Sequence, residues 1–123
     1  MSVRHNKSIM RRMTSDDLDM VRGWRNHIEV RRYMYTQHEI GADEHLRWFE
    51  RASTDPRKHL LVFESEREPC GFVSFSLISA TVADWGFYLA PDAPKGSGLQ
   101  LGQAALTYAF HEQAWHKVCG HVL

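Results

Sequence analysis

The stretch Pro94-Lys95-Gly96-Ser97-Gly98 is the part of this sequence best suited to holding a ligand. Two glycines let a backbone turn sharply and approach a bound molecule closely. A helix is expected just behind them, and the first turn of a helix points N–H groups outward. Its dipole adds roughly 0.3–1 kcal/mol for a nearby anion. Glycine turn, helix amides and the Lys95 ammonium together describe a pyrophosphate cradle. A Gly-Ser-Gly turn before a helix is also common as plain structure, so the segment alone names no ligand. Two known cradles are excluded. No Gly-Lys-Ser/Thr closes the loop as in a P-loop, and the spacing of Gly96, Gly98 and Gly102 breaks the G-x-G-x-x-G dinucleotide fingerprint.

The other chemistry-bearing residues are eight histidines and two cysteines. His111 and His116 are not spaced i, i+4, as a helical pair of metal ligands would be. Cys70 and Cys119 make no CxxC pair and no zinc spacing, and read as reduced thiols. No metal is expected.

These residues need a scaffold. A weak strand pattern covers Ile9 to Met13. Thr14 or Ser15 can cap a helix from Asp16 to about Asn26, with acids in its first turn and Leu18, Val21 and Trp24 at helical spacing. Glu29 to Gly41 reads as irregular. A second helix fits Asp43 to Ser53 and stops at Asp55-Pro56. Strands are expected over His59–Glu64, Cys70–Ile78 and Val82–Leu89, with Glu66 to Pro69 a charged turn. After the glycine loop a long helix should run from about Leu99 to Trp115, with Leu101, Ala104, Ala105, Tyr108 and Ala109 on its packed face. His116 to Leu123 begins a last strand. The order predicts a mixed α/β layer with a meander in its middle.

A chain of 123 residues has room for one domain. Its formal net charge of zero supplies no basic excess for nucleic acid or an acidic membrane. No apolar run approaches the ~20 residues of a membrane span, and the start lacks a signal peptide's apolar stretch. A cytoplasmic protein is the expectation.

Strand, glycine turn and helix in this arrangement resemble motif A of the GNAT N-acetyltransferases, Gln/Arg-x-x-Gly-x-Gly/Ala. Gly96 and Gly98 match its small positions and Leu101 its first core leucine; Ala93 departs from the usual Gln or Arg. Arg25-Asn26-His27, Met34-Tyr35-Thr36, His45-Leu46-x-Trp48-Phe49 and Trp85-Gly86-Phe87-Tyr88 are similar to one subfamily. Its members acetylate the 4-amino group of a UDP-linked 4-amino-4,6-dideoxy sugar in pseudaminic acid biosynthesis, toward a flagellin glycan.

The resemblance implies a GNAT fold: a mixed, mostly antiparallel sheet flanked by helices, in the order β-α-α-β-β-β-α-β. It implies a single domain over residues 1–123 that lacks the family's last helix and strands. Acetyl-coenzyme A would be the co-substrate, held by Lys95, Gly96, Ser97, Gly98, Leu99 and Gln100 at its pyrophosphate and by the backbone of Phe87, Tyr88 and Leu89 along its pantetheine arm. Leu89 N–H is the candidate oxyanion donor. Trp85 and Phe87 fit core and site wall equally. Arg25 and His45 would face the UDP phosphates, with Met34, Tyr35 and Phe49 around the base or sugar. His121 leads the candidates for the base, ahead of Glu39 and Asp84. A homodimer is compatible with this reading. A relative acting on a protein N-terminus or small amine, and a non-catalytic acyl-CoA-binding module, are the alternatives.

Overall fold

Three consecutive strands rich in β-branched and aromatic residues form a meander, and a first and a last strand extend it into one five-stranded sheet. The computed structural model describes residues 8–32 and 38–120. Its strands are β1 (Ser8–Arg12), β2 (Lys58–Ser65), β3 (Glu68–Leu77), β4 (Val82–Leu89) and β5 (Lys117–Gly120), adjacent in that order. The first three pairings are antiparallel and β4–β5 is parallel. The helices are α1 (Leu18–Asn26), α2 (Ile28–Arg31), α3 (Ala42–Ser53) and α4 (Ser97–Thr107). The mixed, mostly antiparallel sheet flanked by helices is the architecture expected from sequence.

Each face of the sheet carries its own core. Leu61, Val73, Phe75 and Ala83 pack under α4 with Leu101, Ala105, Tyr108 and Trp115. Leu60, Val62 and Phe72 pack under α1 and α3 with Met13, Val21 and Ala52. Strand alternation explains the split, because neighbouring side chains point to opposite faces. The entry to α1 is pinned by charge. Arg11 donates to both Asp17 carboxylate oxygens at 2.8 and 2.9 Å and to Glu64 at 2.6 Å, and Thr14 N–H donates to Asp17 at 2.8 Å.

Several boundaries differ from the sequence reading. Glu66 and Arg67 both adopt positive φ, 54° and 70°, so β2 and β3 close through a two-residue turn and β3 starts at Glu68 instead of Cys70. The long helix is interrupted. α4 ends at Thr107 and passes into a single π turn, Tyr108–Glu112, after which Ala114 at φ 56° turns Trp115 back onto the core. A short helix, Ile28–Arg31, opens the segment read as irregular.

Gly71 sets how closely α4 approaches the sheet. A Cβ there would collide with the Cδ1 of Leu101, itself fully buried. The variant Gly71→Ala is expected to cost about 2 kcal/mol by overpacking, read as a lower urea midpoint. It should also weaken any ligand held at the start of α4, since Leu101 lies in the second turn.

Candidate active site

The glycine loop sits where β4 hands over to α4. Gly96 is the N-cap at φ +90°, a conformation that L side chains adopt only with strain. Ser97 N–H donates to Pro94 O and Gln100 N–H to Gly96 O. The amides of Gly98 and Leu99 are then those that first-turn geometry directs outward. A Cβ on Gly98 would meet only Leu89 Cδ1, at an ordinary 3.7 Å, so the fold itself does not require a glycine there. Lys95 is exposed, Ser97 is buried beside Cys70, and Leu99 is 70% exposed. Ala93 sits with its methyl against the core under α4. Gly98's missing side chain and the outward amides fit a pyrophosphate, and among the described residues no cluster of His, Cys, Asp or Glu could hold a metal ion.

The backbone of β4 leads to this corner. Ile78 N–H donates to Val82 O and Ala90 N–H to Cys70 O, both at 2.8 Å. Alternate residues of an antiparallel pair turn their polar groups to the partner. Val82, Asp84, Gly86, Tyr88 and Ala90 therefore face β3. Trp85, Phe87 and Leu89 turn N–H and C=O toward the β5 side, where pairing among the described residues ends at Trp85 and Gly120. Phe87 and Leu89 thus present backbone groups along the β4 edge that leads to Gly98. The backbone of Tyr88 is committed to β3.

Across β4, on the α1–α3 face, lies a pocket of about 380 Å³. Arg25, His45, Trp48, Arg51, Phe72 and Tyr88 bound it, with Ile40, Glu44 and Ser74 completing the wall. Arg25 reaches it because it follows Val21 by four residues on the inward face of α1; it is only 8% exposed. Gly41 caps α3, and His45 and Trp48 then fall on one face one turn apart, their rings stacked at 5.0 Å. Asn26 closes the end of α1: its Nδ2 donates to Ile40 O at 2.7 Å and its Oδ1 accepts from Ile40 N–H at 2.6 Å. This clamp fixes the Ile40 wall.

Burial, then the charges of Arg22 and Arg25, lowers the His45 pKa and favours a neutral imidazole. Burial pushes the Tyr88 phenol up, against the charge of Arg25. His59, buried and 2.6 Å from Tyr108 Oη on the other face, is also lowered, by burial and then by Arg12. Both histidines are held below an unfolded value near 6.5. Their contribution to stability is full above about pH 6.5 and is lost as pH falls through the folded values. Thermal midpoints are therefore expected to drop between neutrality and the carboxylate range, about pH 4, and His59→Gln should flatten that drop. Asp17, lowered chiefly by the Arg11 hydrogen bond, adds a separate loss at more acid pH.

The predicted site residues divide accordingly. Arg25 and His45 meet in the pocket. Phe49 is half-buried and packs on the α1–α3 core, while its neighbour Trp48 takes the pocket wall. Tyr88, read from sequence as part of the cofactor strand, directs its ring into the pocket. Met34, Tyr35 and His121 lie outside the described residues. Asp84 is five residues before Leu89, about 16 Å along the strand, beyond direct reach of a group at Leu89 N–H. Glu39 is exposed beside the Ile40 wall. Arg51, Ser74 and the Asn26 clamp were not anticipated; the spacing of Trp48 and Arg51, one turn apart, was the available signal.

A two-faced sheet with a glycine-started helix at the end of its fourth strand defines the acetyltransferase class of fold. The chain belongs to the acetyltransferase (GNAT) domain family, whose model matches residues 7–123. It is 33% identical over 99 residues to the acetyltransferase PseH of Campylobacter jejuni, covering 80% of this chain and 61% of that protein. The chain thus spans about three-fifths of the length of that curated relative. The crystal structure of PseH with acetyl coenzyme A superposes at TM-score 0.70 and 19% identity, covering 93% of this chain and 75% of that one. The Vibrio cholerae spermidine N-acetyltransferase bound to CoA and spermine superposes at 0.83 and 23% identity, covering 94% and 70%. Among the described residues, no helix is long and apolar enough to cross a membrane.

Proposed function

We propose that the chain is an acetyl-CoA-dependent N-acetyltransferase acting on the 4-amino group of a UDP-linked 4-amino-4,6-dideoxy sugar. The observation that carries this reading is the pairing of two sites across one strand. Outward amides and a glycine opening lie at the α4 end of β4, and a pocket with a buried arginine and a stacked tryptophan lies on its other face.

Lys95 and the Gly98 and Leu99 amides hold the pyrophosphate, the Ser97 and Gln100 amides being spent inside the turn, and the backbone of Phe87 and Leu89 lines the pantetheine arm. In the pocket the Arg25 guanidinium suits a phosphate fork, and Trp48 offers a ring for the base or sugar. His45, neutral and buried, hydrogen-bonds without adding charge. The acceptor ammonium first loses a proton, and its nitrogen attacks the thioester carbonyl. Leu89 N–H is placed to bond the oxyanion that forms. The nitrogen then sheds its extra proton as the C–S bond breaks and the amide forms, and the departing thiolate takes up one proton, leaving coenzyme A as the thiol. The similarity to PseH favours the nucleotide-sugar acceptor. A small polyamine is the second reading, favoured by the Glu44 carboxylate in the pocket wall, which suits an ammonium.

Incubation with acetyl-CoA and the UDP-amino sugar, followed by mass spectrometry, tests the proposal. A monoacetylated nucleotide sugar that still carries its UDP is expected. Acetylation of spermidine with no change in the sugar would overturn the acceptor.

A further inference from the structure

Tyr88 is the residue of β4 at which the two sites meet. Its backbone belongs to the β3 pairing, yet it stands between Phe87 and Leu89, whose amides face the opposite way. Its ring leans on Phe72, 5.2 Å between centroids, and lines the pocket beside Arg25. Two influences act on its phenol, burial and the charge of Arg25. Among the described residues its hydroxyl has no hydrogen-bond partner. Tyr88 is half-buried, and its hydroxyl is free to meet a ligand that enters the pocket. A polar ligand in the pocket would give that hydroxyl a partner.

We infer that the Tyr88 hydroxyl hydrogen-bonds the acceptor molecule and sets its amine against the carbonyl carbon held at Leu89 N–H. The inference rests on the reading of this pocket as the acceptor site. The strand supplies the geometry. Tyr88 and Leu89 are consecutive on β4, with Cα atoms about 3.8 Å apart, so the Tyr88 ring leaves the strand beside the residue whose amide would bind the oxyanion. Arg25, in the wall of the same pocket, would hold the phosphate end of the acceptor, and Tyr88 the end that reacts. Phe72 holds the ring whether or not the hydroxyl is present, which makes Tyr88→Phe a clean deletion of the one polar atom.

The test compares wild type and Tyr88→Phe, using the UDP-amino sugar and spermidine as acceptors. Initial rates are measured with each amine, acetyl-CoA affinity by calorimetry and stability by thermal melting. The expected result is a fall of about tenfold in kcat/KM for whichever amine is acetylated. The acetyl-CoA Kd and the melting temperature should stay unchanged. A purely structural role would move the last two together with the first. An unchanged kcat/KM would overturn the role of Tyr88. A wild type that acetylates spermidine alone, with the defect in Tyr88→Phe retained, would overturn the sugar reading and keep Tyr88. A folded wild type that acetylates neither amine would overturn both.

Discussion

Replacing Arg25 by alanine is expected to lower kcat/KM for the nucleotide-sugar acceptor by about 100-fold. The acetyl-CoA Kd should stay within about twofold, because the two sites lie on opposite sides of β4 and distant sites contribute independently. The size of the effect follows from burial. Arg25 is 8% exposed, so a phosphate that meets it is partly removed from water and the charge-assisted contact is strong. Without the guanidinium, the phosphate loses its partner and still loses much of its hydration. Arg25→Lys keeps the charge without the planar fork, and a loss of about tenfold is expected. A plain amine acceptor carries no phosphate and would be nearly indifferent to either change. The ratio of the two losses therefore reports the acceptor class as well as the role of Arg25.

Gly98→Trp is expected to weaken acetyl-CoA binding by about 100-fold, measured by calorimetry, because an indole would occupy the space in front of the first-turn amides. The fold should tolerate it. The only atom near a Cβ at this position is Leu89 Cδ1 at 3.7 Å, and Gly98 is half-buried at the outer corner of the loop. Gly98→Ala, which stays within ordinary contact distance, should bind nearly as well as wild type. Gly96→Ala behaves differently. Its φ of +90° makes the residue itself strained, so the loss there appears in stability as well as affinity. Melting curves separate the two glycines: a loss of affinity alone marks a position kept open for a ligand, and a loss of both marks a turn.

Much of the scaffold was legible in the pattern of residues. Val82–Leu89 was read with its observed bounds, because apolar and aromatic residues run between Ser79–Thr81 and a proline-rich loop. The two front helices were marked by their acids and apolar spacing. The end of α4 was not legible. The apolar series Leu101, Ala105, Tyr108, Ala109 continues without a break, and what ends the α-helix is tertiary. Tyr108 is drawn to His59 on β2, and Trp115 stacks edge-on against His59 and Phe75. The turn at Glu66 was read but drawn too long, to Pro69, since neither Glu66 nor Arg67 advertises positive φ as Asn-Gly does.

The pocket was half legible. Arg25 and His45 were named from the resemblance to one acetyltransferase subfamily, and both line the pocket. Choosing between Trp48 and Phe49 needed the structure. Neighbours on a helix point about 100° apart, so only one can face the pocket. The edge contact of Trp48 with Phe72, at 6.0 Å, decides which. Tyr88 was misread in emphasis for the same reason. A strand residue offers backbone to one side and side chain to another, and sequence alone does not say which a ligand meets.

The central claim is that two ligands approach β4 from different sides, and the most direct test is an NMR titration of the uniformly labelled chain with acetyl-CoA and, separately, with UDP. The account predicts that acetyl-CoA shifts the amides of Phe87, Leu89 and Gly96 to Gln100. UDP should shift those of Arg25, His45 and Trp48, with Tyr88 responding where the sets meet. Acetyl-CoA shifts clustered in the Arg25–Trp48 pocket, or none at the α4 corner of a folded chain, would contradict it.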